Sequence, residues 1–86
     1  MKSCTAYVHD PLGLHARPAT QLVEAASGFE CDIALCRCGD EAGMQADAKR
    51  IFDVLKLDIG QGERIEISAD GPDEDEAISA LMKLFA

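Results

Sequence analysis

Apolar residues recur in this chain with two different periods, and where they alternate, the residues between them are mostly polar or small. A strand that is apolar on one side only needs one covered face and one wet face. It therefore belongs to a two-layer arrangement and not to the buried centre of a three-layer one. Residues 3–8 set the pattern, with Cys4, Ala6 and Val8 on one side and Ser3, Thr5 and Tyr7 on the other. The segment His9-Asp10-Pro11-Leu12-Gly13 breaks the alternation with a proline and a glycine and reads as a loop.

From Ala16 the period lengthens. Ala16, Ala19, Leu22, Val23 and Ala26 form one helical stripe, with Thr20, Gln21 and Glu24 outside it. Pro18 falls in the first turn, where a missing N–H costs nothing, and Gly28 stands where a helix C-terminal glycine belongs. Cys31, Ile33 and Leu35 alternate with Asp32, Ala34 and Cys36 in a second strand. A turn at 39–43 leads to a short third strand around Met44-Gln45. Asp47 is placed to cap a short helix running to about Leu55, with Ile51, Val54 and Leu55 inward. After the Gly60-Gln61-Gly62 turn, Ile65 and Ile67 alternate with Arg64, Glu66 and Ser68 in a fourth strand. Asp70-Gly71-Pro72 then opens a closing helix. Its first turn carries Asp73, Glu74, Asp75 and Glu76, and Ile78, Leu81, Met82 and Phe85 form its apolar stripe. The order β-α-β-β-α-β-α predicts an α/β (α+β) two-layer sandwich with every helix on one face of the sheet.

With 86 residues, 48% of them apolar, the chain is expected to form a single domain over residues 1–86. It is too short for a deep enclosed cleft, so chemistry is expected at the surface, with a partner completing the site. The net charge of −8 and pI near 4.5 argue against nucleic acid and against an anionic membrane surface. No apolar run approaches membrane-spanning length, and the opening residues do not read as an export signal. A cytoplasmic monomer with reduced thiols at Cys4, Cys31, Cys36 and Cys38 is the expectation.

One segment, Gly13-Leu14-His15-Ala16-Arg17-Pro18-Ala19, concentrates chemistry. A helix N-terminus offers free backbone N–H groups and a partial positive charge, which together suit an anion. His15 falls at the N-cap, so a phosphate on its imidazole would lie near the N–H groups of Ala16 and Arg17. The Arg17 guanidinium is two residues away, able to grip two phosphate oxygens. Imidazole is a nucleophile near neutral pH, and the phosphoramidate it forms passes its phosphoryl group on readily. The competing reading of the same residues is an ordinary surface cap.

The segment resembles the active-site signature of HPr, the histidine phosphocarrier family of the bacterial phosphotransferase system. Gly28-Phe29, Gln61-Gly62 and Ile67-Ser68-Ala69-Asp70-Gly71 extend the resemblance over nearly the whole chain. It implies an open-faced sandwich with a four-stranded antiparallel sheet. It also implies a phosphoryl carrier, not an independent enzyme, with neither metal nor cofactor. In such a carrier His15 is phosphorylated on Nδ1 by Enzyme I, charged from phosphoenolpyruvate, and Arg17 stabilises the phosphate. The group then passes to the A domain of an Enzyme II. Partners would dock on Ala16, Thr20, Ile51, Phe52 and Leu55.

Three departures from the family pattern stand out. Arg50 occupies the place of the regulatory serine of many Gram-positive relatives, which implies that the corresponding kinase control is absent. Glu24, Ser27 and Asp53 stand where sugar-transport members often carry lysines. With Lys56-Leu57-Asp58 and Gly71-Pro72-Asp73-Glu74, they resemble the nitrogen-related (NPr) branch, whose module controls partners through its phosphorylation state. The stretch from Arg37 to Asp47 is a few residues longer than usual and implies a longer hairpin.

Cys36-Arg37-Cys38 is the other constellation with chemical potential, since residues two apart on a strand share a face and paired thiols bind soft metals or oxidise. Structural zinc needs four ligands, however, and no second pair is present. Small strand-compatible side chains explain the pair more economically than a thiol or metal function. His9 reads as a surface loop residue, and the acidic run 73–76 as a complement to a helix N-terminus.

Overall fold

The computed structural model describes residues 1–39 and 43–85. The elements follow the expected order: β1 (Lys2–Tyr7), α1 (Ala16–Ser27), β2 (Asp32–Arg37), β3 (Gln45–Asp47), α2 (Ile51–Lys56), β4 (Arg64–Asp70) and α3 (Glu74–Leu84). The four strands form one antiparallel sheet in the order β1-β4-β2-β3. Tyr7 faces Arg64 at one end of the β1–β4 pair, and Leu35 sits between Ala46 and Ile67 in the register of the central strands. Only one sheet face is covered. Ala6, Ile33, Leu35, Ala46, Ile65, Ile67 and Ala69 are buried beneath the helices, while Thr5, Tyr7, Arg64 and Glu66 on the other face are exposed.

The helices seal that face with narrow stripes. Ala19, Leu22 and Ala26 of α1, Val54 of α2, and Ala77 and Leu81 of α3 are fully buried. Leu14, Leu57 and Ile59, which the periodicity does not single out, complete the core from loops. Each large aliphatic side chain so buried stabilises the fold by roughly 1.5–3 kcal/mol. No polar or charged side chain is buried among the described residues, and Cys31 is the one group with a titratable proton in the core there. Among the described residues, no helix is long and apolar enough to cross a membrane.

Several local expectations need correction. Ala16 is exposed and does not belong to the buried stripe of α1, because its φ of 49° turns the backbone away from helical geometry at that point. Gly28 is the C-cap of α1 but with φ −78°, so the left-handed freedom of glycine is unused there. The third strand begins at Gln45 and leaves Met44 outside it. Asp47 is the last residue of that strand, and its carboxylate accepts from the Lys49 N–H at 2.9 Å, tightening its own turn. The N-cap of α2 is Arg50. The expectation of a longer hairpin falls partly on residues 40–42, which lie outside the described residues.

Asp73 also does more than complement a helix dipole. Its two carboxylate oxygens accept from the N–H groups of Glu30 and Cys31 at 2.8 and 2.9 Å, tying the start of α3 to the entry of β2. The Cys31 thiol beneath it is pushed up to about 11 by burial, reinforced by its hydrogen bond to Asp73 and that residue's charge. Glu74 accepts from the Gly71 N–H and pairs with the N-terminal ammonium at 3.2 Å.

These contacts make a prediction about acid. The Glu30 N–H first, then Cys31, holds the Asp73 carboxyl below its ordinary value, and the Gly71 N–H does the same for Glu74. A carboxyl that binds protons less readily when folded contributes fully above the unfolded pKa, near about 4. That contribution is lost as pH falls through the lower folded value. Urea midpoints measured from pH 6 down to about 3 should fall for the native chain. Asp73→Ala should be less stable at pH 6 and converge toward the native curve in acid. Parallel curves would show that Asp73 carries no such linkage.

Candidate functional site

The turn that presents His15 is built by two backbone contacts between distant segments. The Leu14 N–H donates to the carbonyl of Ile59 at 2.9 Å. Gly13 has φ +74° and packs so tightly that a Cβ there would lie 2.5 Å from the Ile59 oxygen and 2.9 Å from the Gly60 Cα. Asp10 closes the preceding loop, its carbonyl accepting from Gly13 N–H and its carboxylate from Leu12 N–H. Leu14, 1% exposed, anchors the loop in the core one residue before the histidine.

His15 is the N-cap of α1, with extended backbone angles (φ −133°, ψ 171°) and no side-chain capping hydrogen bond. The imidazole does not serve as a cap, which removes the main support for the bland reading of this residue. The next residue, Ala16, has φ 49°, a left-handed conformation that costs a non-glycine residue on the order of 1 kcal/mol and is held only when its surroundings enforce it. No acidic side chain lies in the first turn of α1, so no carboxylate there offsets the positive end of the helix. The Arg17 side chain is exposed and makes no hydrogen bond or ion pair with the described residues. Thr20 turns its hydroxyl back to the Ala16 carbonyl at 3.1 Å.

The imidazole itself is partly exposed, and its Nε2 lies 3.2 Å from Oδ1 of Asp58. Sequence reasoning names Asp58 only in the Lys56-Leu57-Asp58 segment and misses its approach to His15, because it follows α2, far along the chain. Its backbone has a φ of 48°, a conformation that Asp tolerates better than most residues. Also missed were Ile59 and Gly60, which receive the loop, and Arg37 and Glu63. The Arg37 guanidinium donates to the carbonyls of Leu57 and Asp58 at 2.8 and 3.1 Å and to the Glu63 carboxylate, which also accepts from the Gly60 N–H. That N–H first, then Arg37, holds the Glu63 carboxyl below its ordinary range.

The remaining predicted site residues fall on the surface between α1 and α2. Ala16 and Thr20 are exposed, Ile51 and Leu55 are half-buried against the core, and Phe52 is 76% exposed. Phe52 is thus an outward aromatic and not a core residue. Arg50 is exposed, as are Glu24 and Ser27. Asp53 is half-buried, its carboxylate approaching the Asp47 N–H at 3.4 Å. His9 stacks on Tyr7 with ring centroids 6.2 Å apart. Cys36 and Cys38 are half-buried, and among the described residues no group of three or more His, Cys, Asp or Glu side chains could hold a metal ion.

An uncapped histidine at the mouth of the first helix, on a four-stranded antiparallel sheet covered on one face, defines the class of small histidine phosphocarrier proteins. The chain belongs to the HPr family of the phosphotransferase system: the family model described as "PTS HPr component phosphorylation site" matches residues 2–86. It is 38% identical to the phosphocarrier protein NPr of Escherichia coli over 81 residues, covering 94% of this chain and 87% of that one. It is equally 38% identical to the phosphocarrier protein HPr of Mycoplasma genitalium, covering 94% and 89%. Among solved structures, HPr-C-His from Thermoanaerobacter tengcongensis superposes with a TM-score of 0.89 at 38% identity, covering 99% of this chain and 91% of that one. The family's members are carriers of a phosphoryl group and not enzymes.

The junction beneath His15 makes its own prediction. Gly13→Ala combines an unfavourable φ with a backbone clash and should cost at least about 2 kcal/mol in chemical denaturation. A variant as stable as the native chain would contradict the close packing of the two segments.

Proposed function

We propose that this chain accepts a phosphoryl group on Nδ1 of His15 from Enzyme I, charged from phosphoenolpyruvate, and donates it to an Enzyme II A domain. The observation that carries this reading is the uncapped imidazole at a helix N-terminus with no acidic first turn and an unengaged arginine two residues on. Incoming phosphate oxygens would meet the backbone N–H groups of Ala16 and Arg17 and the Arg17 guanidinium. Transfer then needs little covalent chemistry from the protein. Placing two imidazoles in line and compensating the moving charge do most of the catalysis. The step needs no metal or cofactor bound by this chain.

Partners dock on Ala16, Thr20, Ile51, Phe52 and Leu55. The outward Phe52 supplies an apolar anchor of the kind that marks interfaces. Arg50 offers no hydroxyl to an ATP-dependent kinase. The protein works as a cytoplasmic monomer.

A second reading is favoured by charge. Exposed Glu24 and Ser27 and half-buried Asp53 stand where lysines would meet an acidic sugar-transport partner, and a like-charged rim would slow that association. The partners would then belong to the nitrogen-type relay, in which the phosphorylation state of this chain controls what it binds.

Both readings are tested by incubating the chain with phosphoenolpyruvate and an Enzyme I homologue of either type, followed by intact-mass analysis at neutral and acid pH. A single acid-labile phosphoryl gain, absent in His15→Ala, is expected, and the faster donor names the branch. Arg17→Ala should slow uptake by about ten- to hundredfold while leaving the urea midpoint unchanged, since the residue is exposed. Uptake at the native rate would contradict the clamp. No gain from either donor would contradict the carrier function.

A further inference from the structure

We propose that Asp58 is a positioning residue for His15, holding the imidazole with its proton on Nε2 so that Nδ1 carries the free lone pair. The inference rests on His15 being the phosphoryl acceptor and adds the group that selects which of its nitrogens reacts. The nitrogen of a neutral imidazole that faces a carboxylate is the one that keeps its proton, because only N–H can donate there. Here that nitrogen is Nε2, 3.2 Å from Oδ1 of Asp58.

An exposed carboxylate beside a histidine would ordinarily count for little, because both side chains wander. Asp58 is 88% exposed, but its backbone is fixed from three directions. Its N–H donates to the Leu55 carbonyl at 3.1 Å, its carbonyl accepts from Arg37, and the next residue's carbonyl receives the Leu14 N–H. The left-handed φ of 48° at Asp58 persists because these contacts impose it. The same junction fixes the backbone of His15, so the two side chains start from a set separation.

The transfer step is then balanced without a mobile proton. The Nδ1 lone pair of His15 attacks phosphorus, the P–N bond to the donor imidazole breaks, and its electron pair returns to the donor nitrogen. His15 becomes an N-phospho-imidazolium that retains its Nε2 proton, and the Asp58 carboxylate pairs with the positive charge the ring has gained. The retained proton also keeps the ring a good leaving group when the phosphoryl group moves on. A docked partner that excludes water would strengthen this pairing at the moment it is needed.

The left-handed backbone at Asp58 dictates the variants. Asp58→Gly removes the carboxylate and suits the conformation. Asp58→Asn also suits it and keeps an oxygen acceptor without the charge. The ¹⁵N shifts of the imidazoles are read in the unphosphorylated proteins at a pH where the rings are neutral, with His9 as an internal control. The native chain and Asp58→Asn should show His15 protonated on Nε2, and Asp58→Gly a mixture of tautomers with His9 unchanged. Single-turnover uptake from charged Enzyme I should fall about three- to tenfold in Asp58→Gly. The loss should appear in the saturating rate and not in the concentration dependence, and Asp58→Asn, which restores the acceptor but not the charge, should recover part of it. An unaltered tautomer or an unaltered saturating rate in Asp58→Gly would overturn the proposal. If the native chain itself accepts no phosphoryl group, the acceptor reading falls, whatever the tautomer.

Discussion

The Leu14 N–H donates to the Ile59 carbonyl across 2.9 Å, and the side chain that Gly13 lacks lets the two backbones touch. Both sides of this junction are rooted in the core, one through Leu14 and the other through Leu57 and Ile59. The loop before α1 is therefore held against the segment after α2 at a place neither helix reaches. His15 emerges one residue beyond the junction and Asp58 one residue before it. Their meeting is a consequence of main-chain packing, to which their own attraction adds little while both are in water.

Beyond that junction the molecule separates its tasks by layer. The buried faces of the sheet and of the helices carry no polar or charged side chain among the described residues, so the stability of the core is apolar. Polar groups of moderate exposure then stitch distant segments together: Asp73 to Glu30 and Cys31, and Arg37 with Glu63 to the 57–60 turn. At the outermost layer stand the imidazole, the Arg17 guanidinium and the Phe52 ring, all accessible to a second protein. A small chain cannot enclose a reaction, and this division leaves a partner to supply the other half of the site.

Much of this was legible in the sequence, for a physical reason. Burial of one face imposes a period of two on strands and nearly four on helices, and both periods survive in the order of residues. A glycine, a histidine and a proline at fixed offsets likewise report a tight turn and a helix start, so the position of His15 at the N-cap could be read directly. Contacts made by polar side chains across the fold have no period. Asp47 reads as a helix cap from its neighbours, yet its carboxylate closes a turn on Lys49 N–H. Asp73 reads as part of an acidic first turn, yet both its oxygens reach back to the residues before β2. Asp58 stands out in the sequence only within Lys56-Leu57-Asp58, which says nothing of His15, and only the folded chain brings the two together. Ala16 fails the helical pattern for a different reason, since its left-handed φ turns it out to solvent.

The measurement that bears most directly on this account is the position of the phosphoryl group on the ring. Charging ¹⁵N-histidine-labelled protein with Enzyme I and phosphoenolpyruvate, then reading ³¹P–¹⁵N coupling, identifies the bonded nitrogen without a substitution. A single phosphohistidine coupled to Nδ1 of His15 is the predicted result, since Nε2 is turned to Asp58. Coupling to Nε2 of His15, or to His9, would contradict it.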